Sequence, residues 1–280
     1  MWAAEAVRAR LADGRWHFQH GPIDLVIGCD GDPSRCEAAI ESAWTRFRGV
    51  LAELVAELPG LRRPVEESGP LHGPVARRMV RACLPFARDD GLFVTPMAAV
   101  AGSVADEIIA AFDGPGIARA FVNNGGDIAI HLAPGSRYDV GLVSNLDRPG
   151  LDGRFAIDAA SPVRGIATSG WRGRSFSLGI ADSVTVVAAT AAQADAAATM
   201  VANHVDVASP AIERRPASSL KDDSDLGERL VTVAVGLLTT EQVQAALDAG
   251  AAFAGKLLAD GRIAAAAIVL ADQARVLRSR

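Results

Sequence analysis

Three short segments carry the residue types of a ligand site: Asn124-Gly125-Gly126-Asp127, Thr168-Ser169-Gly170, and the pair Asp195 and Thr199. Glycine lets a backbone approach a ligand closely, and its N–H groups can cradle a phosphate. Hydroxyl and carboxylate groups beside such a backbone can hold a ligand hydroxyl or a cation. Together the three segments predict a ligand site rather than a structural core.

The first segment has two interpretations. Asn-Gly and Gly-Gly are favoured in tight hairpin turns, so 123–127 is equally well an ordinary turn between two strands. Alternatively, the N–H groups of Gly125 and Gly126 bind a phosphate, while Asp127 holds a hydroxyl or orders the loop. Asp127 is also one of two candidate general bases. The other is Asp182, and the sequence gives no decisive reason to prefer either.

The second segment precedes two arginines, Arg172 and Arg174. Backbone amides, two hydroxyls and two guanidinium groups within seven residues make an anion site plausible. The alternative is a polar turn with solvated arginines.

The third candidate is a pair of oxygen ligands on one helix. Thr190 and Gln193 have capping-box spacing, which places Asp195 about one turn into a helix and Thr199 on the same face. A carboxylate and a hydroxyl stacked in this way suit Mg²⁺, which prefers oxygen ligands. The alternative is that Asp195 interacts with the helix dipole and Thr199 packs in the core.

Composition excludes several classes of protein. The 280 residues carry a net charge of -5 and only two lysines, with no basic stripe interleaved with aromatic residues. This argues against nucleic acid as a partner. The longest apolar run is far shorter than the ~20 residues of a membrane helix. The first fifteen residues contain no continuous apolar region of a secretory signal. We therefore expect a cytoplasmic protein with no membrane partner.

The elements that position these residues follow from periodicity and capping signals. The sequence predicts a single domain, 1–280, of α+β class, with layered antiparallel or mixed sheets and packed helices. Ser34 and Glu37 predict the start of a long helix that ends at Pro59-Gly60. Residues 208–227 lack periodicity, so we expect a long loop that is either a lid or a surface excursion. The other predicted helices are 74–84, 98–112, 190–205 and 239–258. The predicted strands are 119–122, 127–132, 138–143, 155–158, 175–180, 183–189, 230–235 and a hairpin at 263–277.

Taken in order, five motifs resemble the ApbE family of FAD:protein FMN transferases, and most closely its short uncharacterised relatives. The motifs are Ala98-Ala99-Val100-Ala101, Asn124-Gly125-Gly126-Asp127, Ala167-Thr168-Ser169-Gly170, Ser183-Val184-Thr185-Val186, and Ala194-Asp195-Ala196 followed by Thr199. They span residues 92–206. The resemblance implies a layered fold with two intertwined, related halves.

The resemblance also implies a ligand and a role for each motif. Mg²⁺ would be held by Asp195, Thr199 and the backbone carbonyl near Ala99. FAD would lie against Gly125, Gly126, Asp127, Thr168, Ser169 and Gly170, with Asn124 in the same motif. The activity implied is flavin (FMN) transfer to an acceptor protein, or cleavage of the FAD pyrophosphate. The alternative is a non-catalytic module that binds a flavin or another small molecule and has lost the transferase chemistry.

This alternative arises because the sequence departs from the family pattern. Gly102 stands where the family has a lysine. The histidine-containing segment H-x-x-D-P-x-T-G, which precedes the Ser183 strand in the family, is missing. A shorter connection, residues 175–182, takes its place.

Overall fold

The computed structural model describes residues 5–142 and 153–278. The strands are β1 (Val7–Arg10), β2 (Trp16–His20), β3 (Ile23–Gly31), β4 (Ile117–Asn124), β5 (Asp127–Leu132), β6 (Arg137–Leu142), β7 (Gly153–Asp158), β8 (Gly165–Ser169), β9 (Ser183–Ala188), β10 (Ile212–Pro216), β11 (Leu230–Val235), β12 (Ala265–Leu270) and β13 (Gln273–Arg278).

Six α-helices accompany the strands within these described ranges. They are α1 (Pro33–Leu61), α2 (Pro74–Arg88), α3 (Val100–Ile109), α4 (Ala191–His204), α5 (Ala217–Leu220) and α6 (Thr240–Ala259). Short 3-10 turns at Pro96–Ala99 and Ala110–Phe112 flank α3.

One antiparallel sheet of nine strands organises the molecule, in the order β1-β2-β3-β4-β5-β8-β9-β12-β13. Neighbouring residues of β5 belong to different apolar clusters, Ala129 to the main core and Ile130 to a smaller one. Because successive side chains of a strand point to opposite faces, the two clusters cover opposite faces of the sheet. The main core lies under the helices, and the smaller cluster includes side chains of the β6–β7 hairpin.

The helices are distributed evenly along the sheet. Helix α1 contacts β2 and β3, α3 contacts β4 and β5, α4 contacts β8 and β9, and α6 contacts β12 and β13. The central helices α3 and α4 also pack against each other. Each half of the sheet therefore carries its own helices, and the halves meet at α3 and α4. This architecture confirms the predicted α+β class and layered arrangement.

The predicted boundaries of α1 were wrong at both ends. Asp32, not Ser34, is the N-cap, because its carboxylate accepts the N–H of Arg35 at 3.0 Å. The helix also continues through Pro59 to Leu61. Proline so close to a helix end removes one backbone hydrogen bond from the last turns, which is much less disruptive than a proline in mid-helix.

The predicted strand at 175–180 is wrong, and the expectation that 208–227 lack regular structure is wrong for part of that segment. Residues 175–180 form no strand, because their backbone bonds to the end of α4 instead: Ile180 N–H donates to the Val205 carbonyl at 2.8 Å, and Leu178 N–H to Asn203 at 2.9 Å. Residues 208–227 contain β10 and α5, and β10 pairs with β11. The strands β1 to β3 were not predicted. The predicted strand 138–143 is observed as β6, except that Val143 lies outside the described residues.

Candidate functional site

A cleft of about 290 Å³ opens where the two halves of the sheet meet. Four of the predicted site residues line it: Asp127 at the start of β5, Ser169 at the end of β8, and Asp195 and Thr199 on α4. Backbone leading into α3 forms another wall, with Met97, Ala98, Val100 and Ala101. Residues from four of the five sequence motifs thus lie around one space, although about 70 residues separate β5 from Thr199 along the chain.

Helices α3 and α4 cap each other beside this cleft. The N–H of Gly102, in the first turn of α3, donates to Asp195 Oδ2 at 2.9 Å. In return, Asp106 of α3 accepts the N–H groups of Ala191 and Ala192, the first residues of α4, at 3.0 and 2.9 Å. The first N–H groups of a helix lack partners within the helix, so each carboxylate satisfies donors of the neighbouring helix.

This close contact explains the glycine at position 102. A Cβ atom there would lie 2.3 Å from the carbonyl oxygen of Ala191. The neighbouring atoms are backbone and cannot rotate away, so no side chain fits without moving the start of α4. The lysine of the family pattern is therefore incompatible with this arrangement of the two helices.

Asp127 and Asp195 are half-buried residues of the cleft wall that interact electrostatically with each other. Burial raises the pKa of Asp127 to about 7, although the N–H of Thr168 opposes this by donating to the carboxylate at 3.3 Å. Burial, and next the charge of Asp127, raise the pKa of Asp195 well above its usual value. Neither carboxyl forms a salt bridge with any residue that the structure describes. Two uncompensated carboxyl groups at one site favour a bound cation.

The oxygen donors fit a hard cation. Asp195, Asp127 and Thr199 all line the cleft, whereas Ala99 is buried between the lining residues Ala98 and Val100. Within residues 5–142 and 153–278, no group of three His, Cys, Asp or Glu side chains has the arrangement of a metal site. The candidate set instead combines two carboxyl groups, a hydroxyl and backbone oxygen. Mg²⁺ accepts oxygen ligands of these kinds and usually retains several waters, so the residues present fit a bound Mg²⁺.

The Asn124-Gly125-Gly126-Asp127 segment is a two-residue hairpin turn. Asn124 pairs with Asp127, and Gly125 and Gly126 have φ angles of +68° and +114°, which favour glycine. The Asn124 amide donates to the Ala101 carbonyl at 3.1 Å and so ties the turn to the first turn of α3. Of this segment, Asp127 lines the cleft. The segment is thus a hairpin turn, and a Cβ at Gly125 would lie 3.5 Å from the guanidinium of Arg174, a lining residue.

The Thr168-Ser169-Gly170 segment divides between two environments. Ser169 lines the cleft. The Thr168 hydroxyl instead bonds to the hydroxyl of Thr185 on the neighbouring strand at 2.9 Å, and its backbone N–H is the group that contacts Asp127. Gly170 packs so tightly that a Cβ would lie 2.5 Å from the Asp182 carbonyl oxygen.

Asp182 and Arg172 are bound to each other. The Asp182 carboxylate accepts hydrogen bonds from Arg172 Nε at 2.8 Å, Trp171 Nε1 at 3.3 Å and the N–H of Ala271 at 2.7 Å. These contacts connect the end of β8 to the β12–β13 turn. Arg174 differs, since it lines the cleft and forms no salt bridge among the described residues. The two arginines of the predicted anion site therefore have different surroundings.

Residues 221–226, which we call the covering segment, follow α5 and form one side of the cleft. Two contacts hold this segment in place: Arg62 bonds to Asp223 at 2.7 Å, and the Thr95 hydroxyl bonds to Asp225 at 2.5 Å. These residues belong to 208–227, for which the sequence predicts a lid or a surface excursion, and they lie beside the cleft.

Sequence reasoning missed several residues of the site. Asp106 could have been noticed as an acid within an apolar helix, but nothing local reveals which helix it caps. Arg62 contacts the cleft through tertiary packing of a distant segment. Its sequence neighbourhood carries no motif, so no signal was available for it.

No helix among the described residues combines the length and apolar character needed to cross a membrane. The nine-stranded sheet places the protein in the α+β class. Its central polar site is the carboxyl-lined cleft beside two helices that cap each other. Within that class, the family model described as "AbpE bacteria" matches residues 8–276. The chain belongs to this family.

The chain is also similar to several relatives and solved structures. A UPF0280 protein of Methanopyrus kandleri is 35% identical over 214 residues, which cover 75% of this chain and 83% of that protein. A UPF0280 protein of Methanoculleus marisnigri is 42% identical over 196 residues, 68% of this chain and 75% of that protein. Among solved structures, the apo flavinyl transferase ApbE of Pseudomonas stutzeri has a TM-score of 0.48 at 12% identity, covering 99% of this chain and 94% of that one. An ApbE protein of Thermotoga maritima has a TM-score of 0.42 at 14% identity, covering 98% and 96%.

Proposed function

We propose that this protein binds FAD together with Mg²⁺ in the central cleft and acts as a flavin transferase or as an FAD pyrophosphate-cleaving enzyme. The observation that carries the proposal is the placement of Asp127, Ser169, Asp195 and Thr199 around one cleft. Membership of the "AbpE bacteria" family, and the transferase names of similar solved structures, supply the chemistry.

An anionic ligand suits the outer part of the cleft. Arg174 and Lys221 both line it, and Arg174 is without a salt-bridge partner among the described residues. A guanidinium can bind a phosphate through two parallel hydrogen bonds, which makes Arg174 the proposed phosphate ligand. Lys221 of the covering segment forms an ion pair with Asp223 at 3.8 Å, so it contributes less free positive charge than Arg174.

The carboxyl groups lie deeper and would hold the cation. Asp195 and Thr199, together with the backbone carbonyl of Ala99, are the proposed Mg²⁺ ligands, and Asp127 lies close enough to Asp195 to influence its charge. When bound, Mg²⁺ would neutralise diphosphate charge as the P–O bond breaks. The N–H of Gly102 fixes the orientation of Asp195 before any ligand arrives.

Asp127 is the better candidate for proton transfer. Its pKa near 7 matches a general base at neutral pH, and it lines the cleft. It would accept a proton from the attacking hydroxyl, which belongs either to an acceptor protein or to water. Asp182 is the weaker candidate because three donors already occupy its carboxylate.

The alternative function is a non-catalytic module that binds a flavin or another small anion. The shorter connection at 175–182 favours it, because this segment is bonded to the end of α4 rather than presenting a histidine. The choice between the two functions rests on product formation. Purified protein is incubated with FAD and Mg²⁺, with and without a candidate acceptor, and AMP and FMN are separated by chromatography. AMP release that is lost in Asp127→Asn supports an enzyme, whereas bound but intact FAD supports the module.

A further inference from the structure

A pair of thiols lies outside the cleft, at the connection between β3 and α1. Cys29 is near the end of β3, and Cys36 is in the first turn of α1. Their Sγ atoms are 2.6 Å apart. Both cysteines are free and partly exposed, whereas Cys83, the third cysteine, is buried in α2. The first two are therefore in contact with each other and accessible from solvent.

The surroundings assign different roles to the two sulfurs. Burial, and next the hydrogen bond that the Cys29 thiol donates to the Cys36 sulfur, raise the pKa of Cys29 and so disfavour its thiolate. Cys36 lies at a helix N-terminus, where the helix dipole favours negative charge. Cys36 is therefore the sulfur that attacks an external reagent, and Cys29 is the sulfur that resolves the resulting adduct.

We propose that Cys29 and Cys36 form a reversible redox site that exchanges with low-molecular-weight disulfides. The Cys36 thiolate attacks one sulfur of a disulfide RSSR, which forms a mixed disulfide and releases RS⁻. The Cys29 thiol then loses its proton and attacks the Cys36 sulfur, which releases the second RS⁻. Two protein thiols are oxidised to one disulfide, and RSSR is reduced to two RSH after protonation. The Sγ atoms need to move together by only about 0.6 Å to reach the length of a disulfide bond.

The proposed disulfide joins a strand of the sheet to the helix that follows it. Helix α1 packs on β2 and β3 in the main core. Oxidation would fix the start of α1 to β3 covalently, and reduction would release it. This site is independent of the cleft and of the proposed flavin chemistry.

The test treats the reduced, full-length protein with glutathione disulfide, blocks remaining thiols with an alkylating reagent under denaturing conditions, and digests with trypsin. Trypsin cleaves after Arg35, so Cys29 and Cys36 fall on separate peptides, 16–35 and 36–46. We expect these two peptides to be joined, with a mass about 2 Da below their sum, and to separate after a thiol reductant is added. Cys83 should remain free and alkylated.

Matched variants distinguish the two sulfurs. In Cys29→Ser, we expect glutathione to remain attached to Cys36, because no second thiol displaces it. In Cys36→Ser, modification of Cys29 should be at least about tenfold slower than modification of Cys36 in Cys29→Ser, given its disfavoured thiolate. The proposal is overturned if the wild-type peptides 16–35 and 36–46 are recovered separately with both cysteines alkylated, or if either pairs with Cys83 instead.

Discussion

Asp106 and Asp195 each cap the helix that carries the other. Asp106 of α3 accepts two N–H groups at the start of α4, while Asp195 of α4 accepts the Gly102 N–H at the start of α3. Only Asp195 also lines the cleft. Asp106 therefore has a structural role alone, whereas Asp195 combines a structural role with the proposed binding of a cation.

The Asp106 cap contributes to stability without contacting the ligand. Asp106→Ala leaves the N–H groups of Ala191 and Ala192 without their acceptor in a buried position. We expect the free energy of unfolding to fall by about 1–3 kcal/mol. Urea denaturation followed by circular dichroism measures this change. Asp113→Ala is the control, because the Asp113 side chain is 87% exposed and the change should be close to zero. Equal stability of the two variants would contradict the capping role.

Gly102 is required by the distance between α3 and α4. Gly102→Ala places a methyl group against the Ala191 carbonyl, and we expect a loss of about 2 kcal/mol or more because backbone must move. Gly114→Ala is the matched control, since a Cβ at that position contacts nothing within 4 Å. Thermal unfolding of both variants gives the comparison. If Gly102→Ala and Gly114→Ala unfold at the same temperature, the two helices are farther apart than described.

Stability should depend on pH through Asp127. The folded protein retains a proton on Asp127 up to a pKa of about 7, whereas the unfolded chain releases it near 3.8. The folded state therefore binds more protons between these values, and stability falls as the pH rises through them, by at most about 1.4 kcal/mol per pH unit. Asp195 and Asp106, whose pKa values are also raised, act in the same direction.

Asp127→Asn isolates this contribution. The amide oxygen can still accept the Thr168 N–H, while the titrating group is lost. Without ligand, the variant should gain stability relative to wild type as the pH rises from 5 to about 8. Urea midpoints measured across that range provide the check. Parallel curves for the two proteins would mean that Asp127 ionises at its ordinary pKa.

The two arginines near β8 should differ in their effect on anion binding. Arg174 lines the cleft, whereas Arg172 is bound to Asp182 and stacks on Trp171 with its guanidinium carbon 4.7 Å from the ring centre. We expect Arg174→Ala to weaken binding of ADP about tenfold, as for the loss of a charge-assisted hydrogen bond. Arg172→Ala should change the affinity by less than about twofold. Calorimetric titration at low salt measures both, and a reversed order would exclude Arg174 as the phosphate ligand.

Elements with strong local signals were predictable from the sequence. The Thr190 cap fixed the start of α4, since its hydroxyl accepts the Gln193 N–H at 3.2 Å. The spacing of Asp195 and Thr199 then placed both side chains on one face, and both line the cleft. Alternating apolar residues similarly located β5 and β11.

Features that depend on distant contacts were not predictable. Residues 175–180 have an apolar pattern typical of a strand, but their hydrogen bonds go to the end of α4. Arg172 and Arg174 look equivalent in sequence. They are distinguished in the structure by Asp182, which binds Arg172. The caps formed by Asp106 and Asp195 join residues 85 or more positions apart, so no local motif announces them.

The most direct test of the central claim is a titration of flavin-free protein with FAD, with and without Mg²⁺, followed by flavin fluorescence. We predict saturable binding that strengthens at least about tenfold when Mg²⁺ is present, and a thermal stability that rises with ligand concentration. Asp195→Asn keeps an acceptor for the Gly102 N–H but removes the charge, so it should fold and lose the Mg²⁺ dependence. Binding of FAD that is equal in wild type and Asp195→Asn, with and without Mg²⁺, would contradict the proposed cation site. No binding of FAD at all would contradict the proposed function.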